Sequence, residues 1–301
     1  MDGIINIYKE KGFTSHDVVA KMRGILKQKK IGHTGTLDPD ATGVLPICLG
    51  KATKVCDLLT NQNKTYEAVI LLGVETDTED ISGTVIRKQE VTLTSEEVEE
   101  AVLSFKGKSM QIPPMYSALK VNGKKLYELA REGKEIERKP RPIEIFEIKI
   151  IKMELPYLTV EVTCSKGTYI RSFARDIGKK LGVGGCILEL KRTRVRDFLI
   201  KDSITLEELE KRKAENSIEE ILMPVDTVFS DYKEILVKKE GHPLIYNGNY
   251  ISTAFIKNQI SCKDQESVRV YDDDMCFIAI YQWEEKRKQF KPKKMFLLNE
   301  K

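Results

Sequence analysis

The stretch IGHTGTLDPDATGVLP, Ile31 to Pro46, packs glycine and proline around one imidazole, His33, and two carboxylates, Asp38 and Asp40. Asp-Pro and glycine suit tight bends, and an Asp side chain bonds its own backbone nearby, so turn chemistry alone explains much of this composition. Whether the carboxylates also do chemistry depends on what the rest of the chain places beside them.

Upstream, Ile4 to Tyr8 reads as a short strand. TSHDVVAKMRGILKQKK then sets Val18, Met22, Ile25 and Leu26 at helical spacing behind a Ser15 or Thr14 cap, so the loop follows a helix with a basic end. Downstream, YEAVILLG, Tyr66 to Gly73, reads as a buried strand, and TDTEDISGTVI as a turn into its antiparallel partner. TSEEVEEAVLSFKG has a capping box from Thr94 to Glu97 and a terminating Gly107. The strands IEIFEIKI and YLTVEVTC precede SKGTYIRSFARDIGKKLG, where Ile170, Phe173, Ala174, Ile177 and Leu181 mark a helix ended by Gly182. CILELKRTRVRDFLI and the capped helix TLEELEKR close a main domain, with a boundary in MPVD near Pro224. Beyond it, EILVKK, YISTAFI, SVRVYD and MCFIAIYQW are strand-like runs broken by turn residues, which suits a small β domain. Hairpin logic rather than a repeating strand-helix-strand pattern predicts an α+β fold. It has a mixed, mainly antiparallel sheet with flanking helices over 1–223, and a second domain over 224–301.

The chain has 301 residues, of which 41% are hydrophobic and 32% charged, enough for a sizeable core and incompatible with a disordered chain. No uncharged apolar run approaches the roughly 18 residues of a membrane span, and the start lacks the sections of a secretory signal. A cytoplasmic protein with no membrane association is expected. Six cysteines without a C-x-x-C pair predict free thiols, and three histidines without a ligand motif predict no metal site. Net charge is only +4, but Lys120 to Arg141 contains eight Lys or Arg against four Asp or Glu, an excess equal to that of the whole chain. Charge gathered in one stretch suits either an acidic partner or a solvated loop.

Several chemistries lack their parts. Asp38 and Asp40 could form a glycosidase pair, yet nothing fixes them across a scissile bond. G-x-S-x-G and the nucleotide-binding glycine loops are absent, and Cys164 reads as a buried strand-end thiol rather than a nucleophile. What remains is the carboxylate loop, the basic segment, and TCSKGTYIRS, where a glycine turn delivers Tyr169 and Arg171 at a helix start. Arginine and helix N-termini suit phosphates, and aromatic rings suit unstacked bases, so the three together suggest RNA. The bland readings are core packing for Tyr169 and a surface ion pair for Arg171.

KEKGFTSHDVV, IGHTGTLDPDATGVLPICLGKATK, KTYEAVILLGVETDTEDISG, QIPPMYSALKVNGKKLYELAREG and CSKGTYIRSFARDIG, in this order and spacing, resemble the bacterial tRNA pseudouridine synthase B family. The resemblance runs from about Asn6 to Arg194, and the C-terminal segment resembles a PUA-type RNA-binding domain more loosely. It implies a sheet of the pseudouridine synthase type and isomerisation of uridine 55 in the T arm of tRNA, without cofactor or metal. It also implies Asp38 as nucleophile, with Arg171 paired to it. His33 fills the space left by the flipped base, Tyr66 stacks on the uracil, and Tyr169 and Leu190 line the pocket. The partner implied is the tRNA T stem-loop, met by a monomer that needs no other protein.

These types make physical sense. A stacked base hides C5 and C1′, so the nucleotide must flip into a closed pocket with an aromatic platform, and a guanidinium favours the charged carboxylate. On this reading the glycines let the loop approach an RNA strand while projecting Asp38. The basic segment, an insertion over about 108–142, holds Gly123 and Gly133 around apolar Leu126, Tyr127, Leu129 and Ala130. That pattern predicts a short helix on hinges, with Lys124, Lys125 and Arg131 on phosphates. Two rivals are a non-catalytic tRNA-folding protein, against which the intact Asp38 speaks, and the guide-RNA relative of the family. The long QIPPMYSALK insertion and short C-terminal domain fit the stand-alone type better.

Overall fold

The computed structural model describes residues 1–121 and 123–297. The chain runs β1 (Gly3–Lys9), α1 (Ser15–Leu26), β2 (Ile31–His33), β3 (Thr42–Leu49), α2 (Cys56–Thr60) and β4 (Lys64–Leu72). A hairpin of β5 (Val74–Thr76) and β6 (Val85–Lys88) follows, then α3 (Ser95–Leu103) and β7 (Gly107–Gln111). The basic segment holds β8 (Lys120–Val121), β9 (Lys124–Lys125) and α4 (Leu126–Arg131). β10 (Arg141–Glu154), β11 (Tyr157–Cys164), α5 (Ile170–Lys180), β12 (Gly185–Val195), β13 (Phe198–Leu199) and α6 (Leu206–Ala214) complete the larger part.

Nine strands form one mixed sheet in the order β1-β3-β12-β4-β11-β10-β7, with β2 added to β3 and β13 to β12. Every pairing is antiparallel except β3 with β12, which meet in parallel at only two register pairs, Lys191 with Thr42 and Arg192 with Gly43. Apolar side chains of β4, β10, β11 and β12 meet α3 and α5 in one cluster that includes Ile70, Val160, Val102 and Phe173. A second cluster packs Val18, Met22 and Leu26 of α1 against Ile5 and Ile7 of β1. The α+β architecture expected from the sequence is present, and Thr14 rather than Ser15 caps α1, in a capping box with Asp17.

Two expectations are corrected. The antiparallel partners of the strand through Tyr66 are β11 and β12, more than ninety positions on, and not the residues after TDTEDISG. The chain leaves the sheet at Gly73, where φ is +84° and a Cβ would lie 2.6 Å from the Gln89 carbonyl oxygen. The turn then closes the separate hairpin β5–β6, whose β6 is exposed throughout, while β4 is buried enough to need a partner on each side. The expected insertion also narrows. Gly107–Gln111 pairs with Arg141–Ile145 in the main sheet, so only 112–140 leaves it.

The short helix on two glycine hinges forms as expected: α4 lies between Gly123 and Gly133, both with left-handed φ. Beyond the boundary, β14 (Lys233–Leu236), α7 (His242–Tyr246), β15 (Ile251–Ser252), β16 (Ser267–Tyr271), β17 (Phe277–Glu284) and β18 (Gln289–Met295) build a five-stranded sheet, ordered β14-β16-β17-β18-β15. This is the small β domain expected, although β18, with three lysines and a proline in seven residues, has too little apolar pattern to be read from sequence. Residues 298–301 of the 224–301 span, and Asn122 of the insertion, lie outside the described residues.

Met223 exchanges two backbone hydrogen bonds with Ile4, of 2.8 and 2.9 Å, and so closes the larger part. The next turn, Val225–Phe229, is shared. Val225, Val228 and Phe229 pack with Ile4, Val44, Cys48 and Val55 on one side and with Ile280 and Phe296 of the β domain on the other. Phe229→Ala should therefore lower stability by about 3–5 kcal/mol, the usual loss for a buried Phe, and should loosen the β domain from the sheet. Urea unfolding checks the first, and limited proteolysis near residue 230 the second. A change below about 0.5 kcal/mol, the size of a surface substitution, would remove Phe229 from this role.

Candidate active site

The loop between β2 and β3 is held from beneath. Thr34 bonds the Pro46 carbonyl through both its backbone N–H (3.2 Å) and its Oγ1 (3.1 Å), and Leu37 N–H donates to Ser15 Oγ at 2.9 Å. Ser15, the alternative cap for α1, serves the loop instead. Lys9 is fully buried, and its ammonium donates to the carbonyls of Glu10 (3.0 Å), Phe13 (2.5 Å) and Pro39 (3.0 Å). Burial pushes Lys9 down to about 8, opposed by the nearby carboxylates of Asp38 and Asp40.

Asp38 faces Arg171, in the first turn of α5. Arg171 Nη2 donates to Asp38 Oδ1 at 3.2 Å, and Nε lies 2.9 Å from Oδ2 as a contact of charge rather than an aligned hydrogen bond. The same guanidinium donates to the carbonyls of Thr78 (3.0 Å) and Tyr116 (2.7 Å), and its Nη1 lies 3.5 Å from Asp80 Oδ2. Arg171 is 6% exposed, so one buried cation joins the carboxylate loop, the β5–β6 hairpin turn and the basic insertion. The surface ion pair offered as its bland reading is not what is found.

The Asp38 side chain keeps 41% of its surface accessible, yet it sits deep among protein atoms. Desolvation raises its carboxyl above the ordinary range, Arg171 opposes the rise, and Asp80 adds to it. Asp40 is exposed, and no second carboxylate flanks Asp38 from within the loop. The acidic neighbour is Asp80, which sequence reasoning missed. The signal available was the polar turn TDTEDISG, read there only as a hairpin.

Beside this pair the parallel seam sets the other groups. In the register of the sheet, Arg192 on β12 lies opposite Tyr66 on β4 and beside Gly43 on β3. Arg192 is 1% exposed, donates from Nε to the Val44 carbonyl (2.7 Å) and from Nη2 to the Gly35 carbonyl (3.3 Å), and has no carboxylate partner among the described residues. Burial pushes its guanidinium down and the Tyr66 phenol up, and each counters the shift of the other.

Gly43 has φ +105°, and a Cβ there would lie 2.2 Å from the Arg192 carbonyl oxygen. The close approach that this glycine serves is therefore to the protein's own backbone. Arg192 was also missed. In a run of basic residues, KRTRVR, nothing in the sequence marks which one turns inward.

Leu190, two residues before Arg192, packs with Tyr66 against the main cluster. His33 ends β2, with its ring 5.1 Å from that of exposed His16 and an interplanar angle of 77°. Burial, with the nearby charge of His16 and then Arg192, lowers its pKa below 6.5, so the imidazole is neutral at pH 7. Tyr169 is the N-cap residue of α5, partly buried, and burial raises its phenol. Cys164 is buried at the end of β11 with its thiol pushed up to about 12, which fits the strand-end reading. Lys124 meets Glu132 at 3.3 Å, while Lys125 bonds the Tyr127 hydroxyl at 3.1 Å and the Arg131 guanidinium lies 5.5 Å from the Tyr127 ring centre. Two of these cations, Lys125 and Arg131, thus meet Tyr127 while Lys124 pairs with Glu132, and none of the three is among the contacts of Asp38.

Among the described residues there is no cluster of three or more His, Cys, Asp or Glu able to hold a metal, and no helix long and apolar enough to cross a membrane. The arrangement sets one partly accessible carboxylate against a buried guanidinium, with the Tyr66 phenol near enough to feel its charge. Arg192→Lys leaves the Gly35 and Val44 carbonyls without their forked donor. Each carbonyl stranded should lower stability by about 1–3 kcal/mol, read by urea unfolding, and wild-type stability would show that the fork is dispensable.

A profile described as the N-terminal domain of the TruB family of pseudouridylate synthases matches residues 23–170, and one described as the tRNA pseudouridylate synthase B C-terminal domain matches 171–230. A tRNA pseudouridine synthase B of Lachnoclostridium phytofermentans is 53% identical over 99% of this chain and 100% of that protein. One of Clostridium kluyveri is 49% identical over 99% and 100%. A solved H/ACA ribonucleoprotein bound to a substrate RNA containing 2′-deoxyuridine gives a TM-score of 0.74 at 23% identity, over 99% of this chain and 86% of that one, a likeness of fold. The chain belongs to the TruB family of pseudouridylate synthases.

Proposed function

We propose that this chain isomerises uridine 55 in the T arm of tRNA, with Asp38 as nucleophile, and that it acts in the cytoplasm as a monomer without guide RNA or protein partner. The observation that carries this reading is the Asp38–Arg171 pair, one buried guanidinium set against a carboxylate that remains partly accessible. Isomerisation breaks the N1–C1′ bond, turns the uracil, and forms C5–C1′; a proton leaves C5 and N1 gains one. The atoms balance within the nucleotide, so no electron carrier or group donor is required.

Tyr66 supplies the aromatic face for the flipped base, beside Leu190 and Tyr169, and its hydroxyl relays the C5 proton, taking it up as its own O–H proton passes to solvent. His33, neutral and edge-on to His16, fills the vacated stack. Residues 1–223 form the catalytic unit, with the 112–140 excursion gripping the T arm through Lys124, Lys125 and Arg131. Residues 224–301 form a PUA-like RNA-binding unit.

Asp38→Asn should abolish C5-linked uridine in an unmodified tRNA transcript, with no added RNA or protein, while tRNA affinity stays within about tenfold, because phosphate contacts dominate affinity. Wild-type inactivity in that assay would favour the guide-RNA or tRNA-folding alternatives. Tyr66→Phe should keep binding and lose most turnover, and an unchanged rate would leave Tyr66 a platform only.

The pH dependence follows from the raised carboxyl. Activity requires ionised Asp38, so the acid limb of the single-turnover rate should lie above 3.8, the ordinary Asp value. Arg171→Met should move it further up, since the guanidinium opposes the rise. An unmoved limb would separate Asp38 from the acid limb.

Neutralising Lys124, Lys125 and Arg131 together should flatten the slope of log affinity on log salt by up to roughly 0.7 for each phosphate left without its cation, with saturated chemistry unchanged. Equal slopes would return the segment to a solvated loop.

A further inference from the structure

Gln111, the last residue of β7, is 4% exposed, and its whole amide is used on the main chain of one distant residue. Its Nε2 donates to the Tyr169 carbonyl at 3.0 Å, and its Oε1 accepts from the Tyr169 N–H at 2.9 Å. Tyr169 is the N-cap residue of α5 and has no side-chain capping bond of its own. A glutamine from another strand therefore fixes both polar groups of the residue that opens the helix. Two further bonds join the same segments. Arg175 Nη2 donates to the Ile112 carbonyl at 3.1 Å, and Arg171 Nη2 to the Tyr116 carbonyl at 2.7 Å. The chain entering the insertion, 111–116, is thus fastened to the turn that presents Tyr169 and Arg171. The insertion helix hangs from that chain: Leu126 N–H bonds the Leu119 carbonyl and Tyr127 N–H the Ser117 carbonyl, at 2.8 and 3.1 Å.

We propose that Gln111 is a positioning residue for the isomerisation: it sets the backbone of Tyr169, and through it the angle at which Arg171 meets Asp38, and it ties that turn to the root of the basic insertion. Gln111 touches neither the reacting base nor Asp38; it acts through Tyr169. The amide is suited to this because a peptide unit offers one donor and one acceptor on the same residue, and a primary amide offers the complement. Loss of the pair leaves the Tyr169 N–H unbonded and its carbonyl with only the helix bond from Phe173 N–H at 3.0 Å, and lets the first turn of α5 shift. Displacements well under the size of an atom at a reacting centre are enough to slow chemistry strongly. The inference rests on the proposed function.

The test is single-turnover isomerisation of a tRNA transcript by Gln111→Met and Gln111→Glu, beside wild type, at a temperature where melting curves show all three folded. Methionine keeps the length and the burial but neither bond. Its rate at saturating tRNA should fall by about tenfold or more, while Kd for tRNA stays within about threefold, a loss in the chemical step rather than in binding. Glutamate adds a signature. A neutral carboxyl has one donor and one acceptor, as the amide has, whereas a carboxylate can only accept and faces the Tyr169 carbonyl unfavourably. The rate of Gln111→Glu relative to wild type should be low at pH 8 and recover towards pH 5.5. Arg141, opposite in the β7–β10 register, and Arg171 and Arg175 of α5 help to set where recovery falls. A Gln111→Met rate within twofold of wild type, a loss that appears only in Kd, a rate that merely follows the folded fraction, or a Gln111→Glu ratio flat with pH would each overturn the proposal. Failure of wild type itself to isomerise would strike the proposed function instead, since the variants are read only against it.

Discussion

A carboxylate that must stay charged while partly stripped of water needs a cation whose own desolvation is already met elsewhere. Arg171 fulfils that condition because two carbonyls, of Thr78 and Tyr116, share its donors with Asp38. The raised Asp38 carboxyl measures the tension that remains. Because its folded value lies above the unfolded one, the ionised group subtracts stability as pH rises through that interval, and the protein is least burdened where Asp38 is neutral and useless. Stability given up at the site has to be regained in the packing around it, and the two clusters flanking the sheet are where it is regained.

Two more cations lie under the loop, and among the described residues neither has an ion-pair partner of its own. Lys9 ends on three carbonyls and Arg192 on two. Such groups are expensive to bury, and removing an acceptor strands a charge, so they fix backbone rather than add net stability. Arg192 spans the parallel seam, where β3 and β12 share only two register pairs, and Lys9 pins Pro39, next to Asp38. Their positive charge also reaches the site: Lys9 favours ionised Asp38, and Arg192 favours a more acidic Tyr66 phenol than burial alone would leave.

Local patterns made much of this visible in the sequence. The capping box at Thr94, the helix of TYIRSFARDIG, and the alternation of YLTVEVTC are near-neighbour properties, and the structure has them as expected, while of the two cap candidates for α1 it takes Thr14. Long-range pairing was not legible. Nothing local says that Tyr66 pairs with Val162 and Arg192, or that the parallel seam falls between Thr42 and Lys191. The same limit hid Asp80 and Arg192, whose importance comes from what folds against them. Asp38 and Arg171 each stood out from local pattern, but their pairing was legible only through a resemblance spanning five separate blocks. Separated by 133 positions, they become one bidentate contact only after β3, β12 and α5 are in place.

The first turn of α5 is where these separate pieces meet. Ser172 donates to Glu79 at 2.7 Å, Arg175 pairs with Glu79, and Glu79 itself adopts a left-handed φ of +65° that a side chain tolerates only when its surroundings hold it there. The hairpin turn that supplies Thr78 and Asp80 to Arg171 is therefore clamped by the same helix turn that carries Arg171. From the other side, the insertion supplies Tyr116 and Ile112 to that turn. Two loops of opposite character, one acidic and one basic, thus converge on three residues of this helix, Arg171, Ser172 and Arg175. Neither loop has much core of its own: β6 is exposed throughout, and α4 buries only Leu126. Their order is borrowed from α5, which buries Ile170, Phe173, Ala174 and Ile177 against the sheet. The rigid packing of one helix is what allows two thinly packed loops to place polar groups at Arg171.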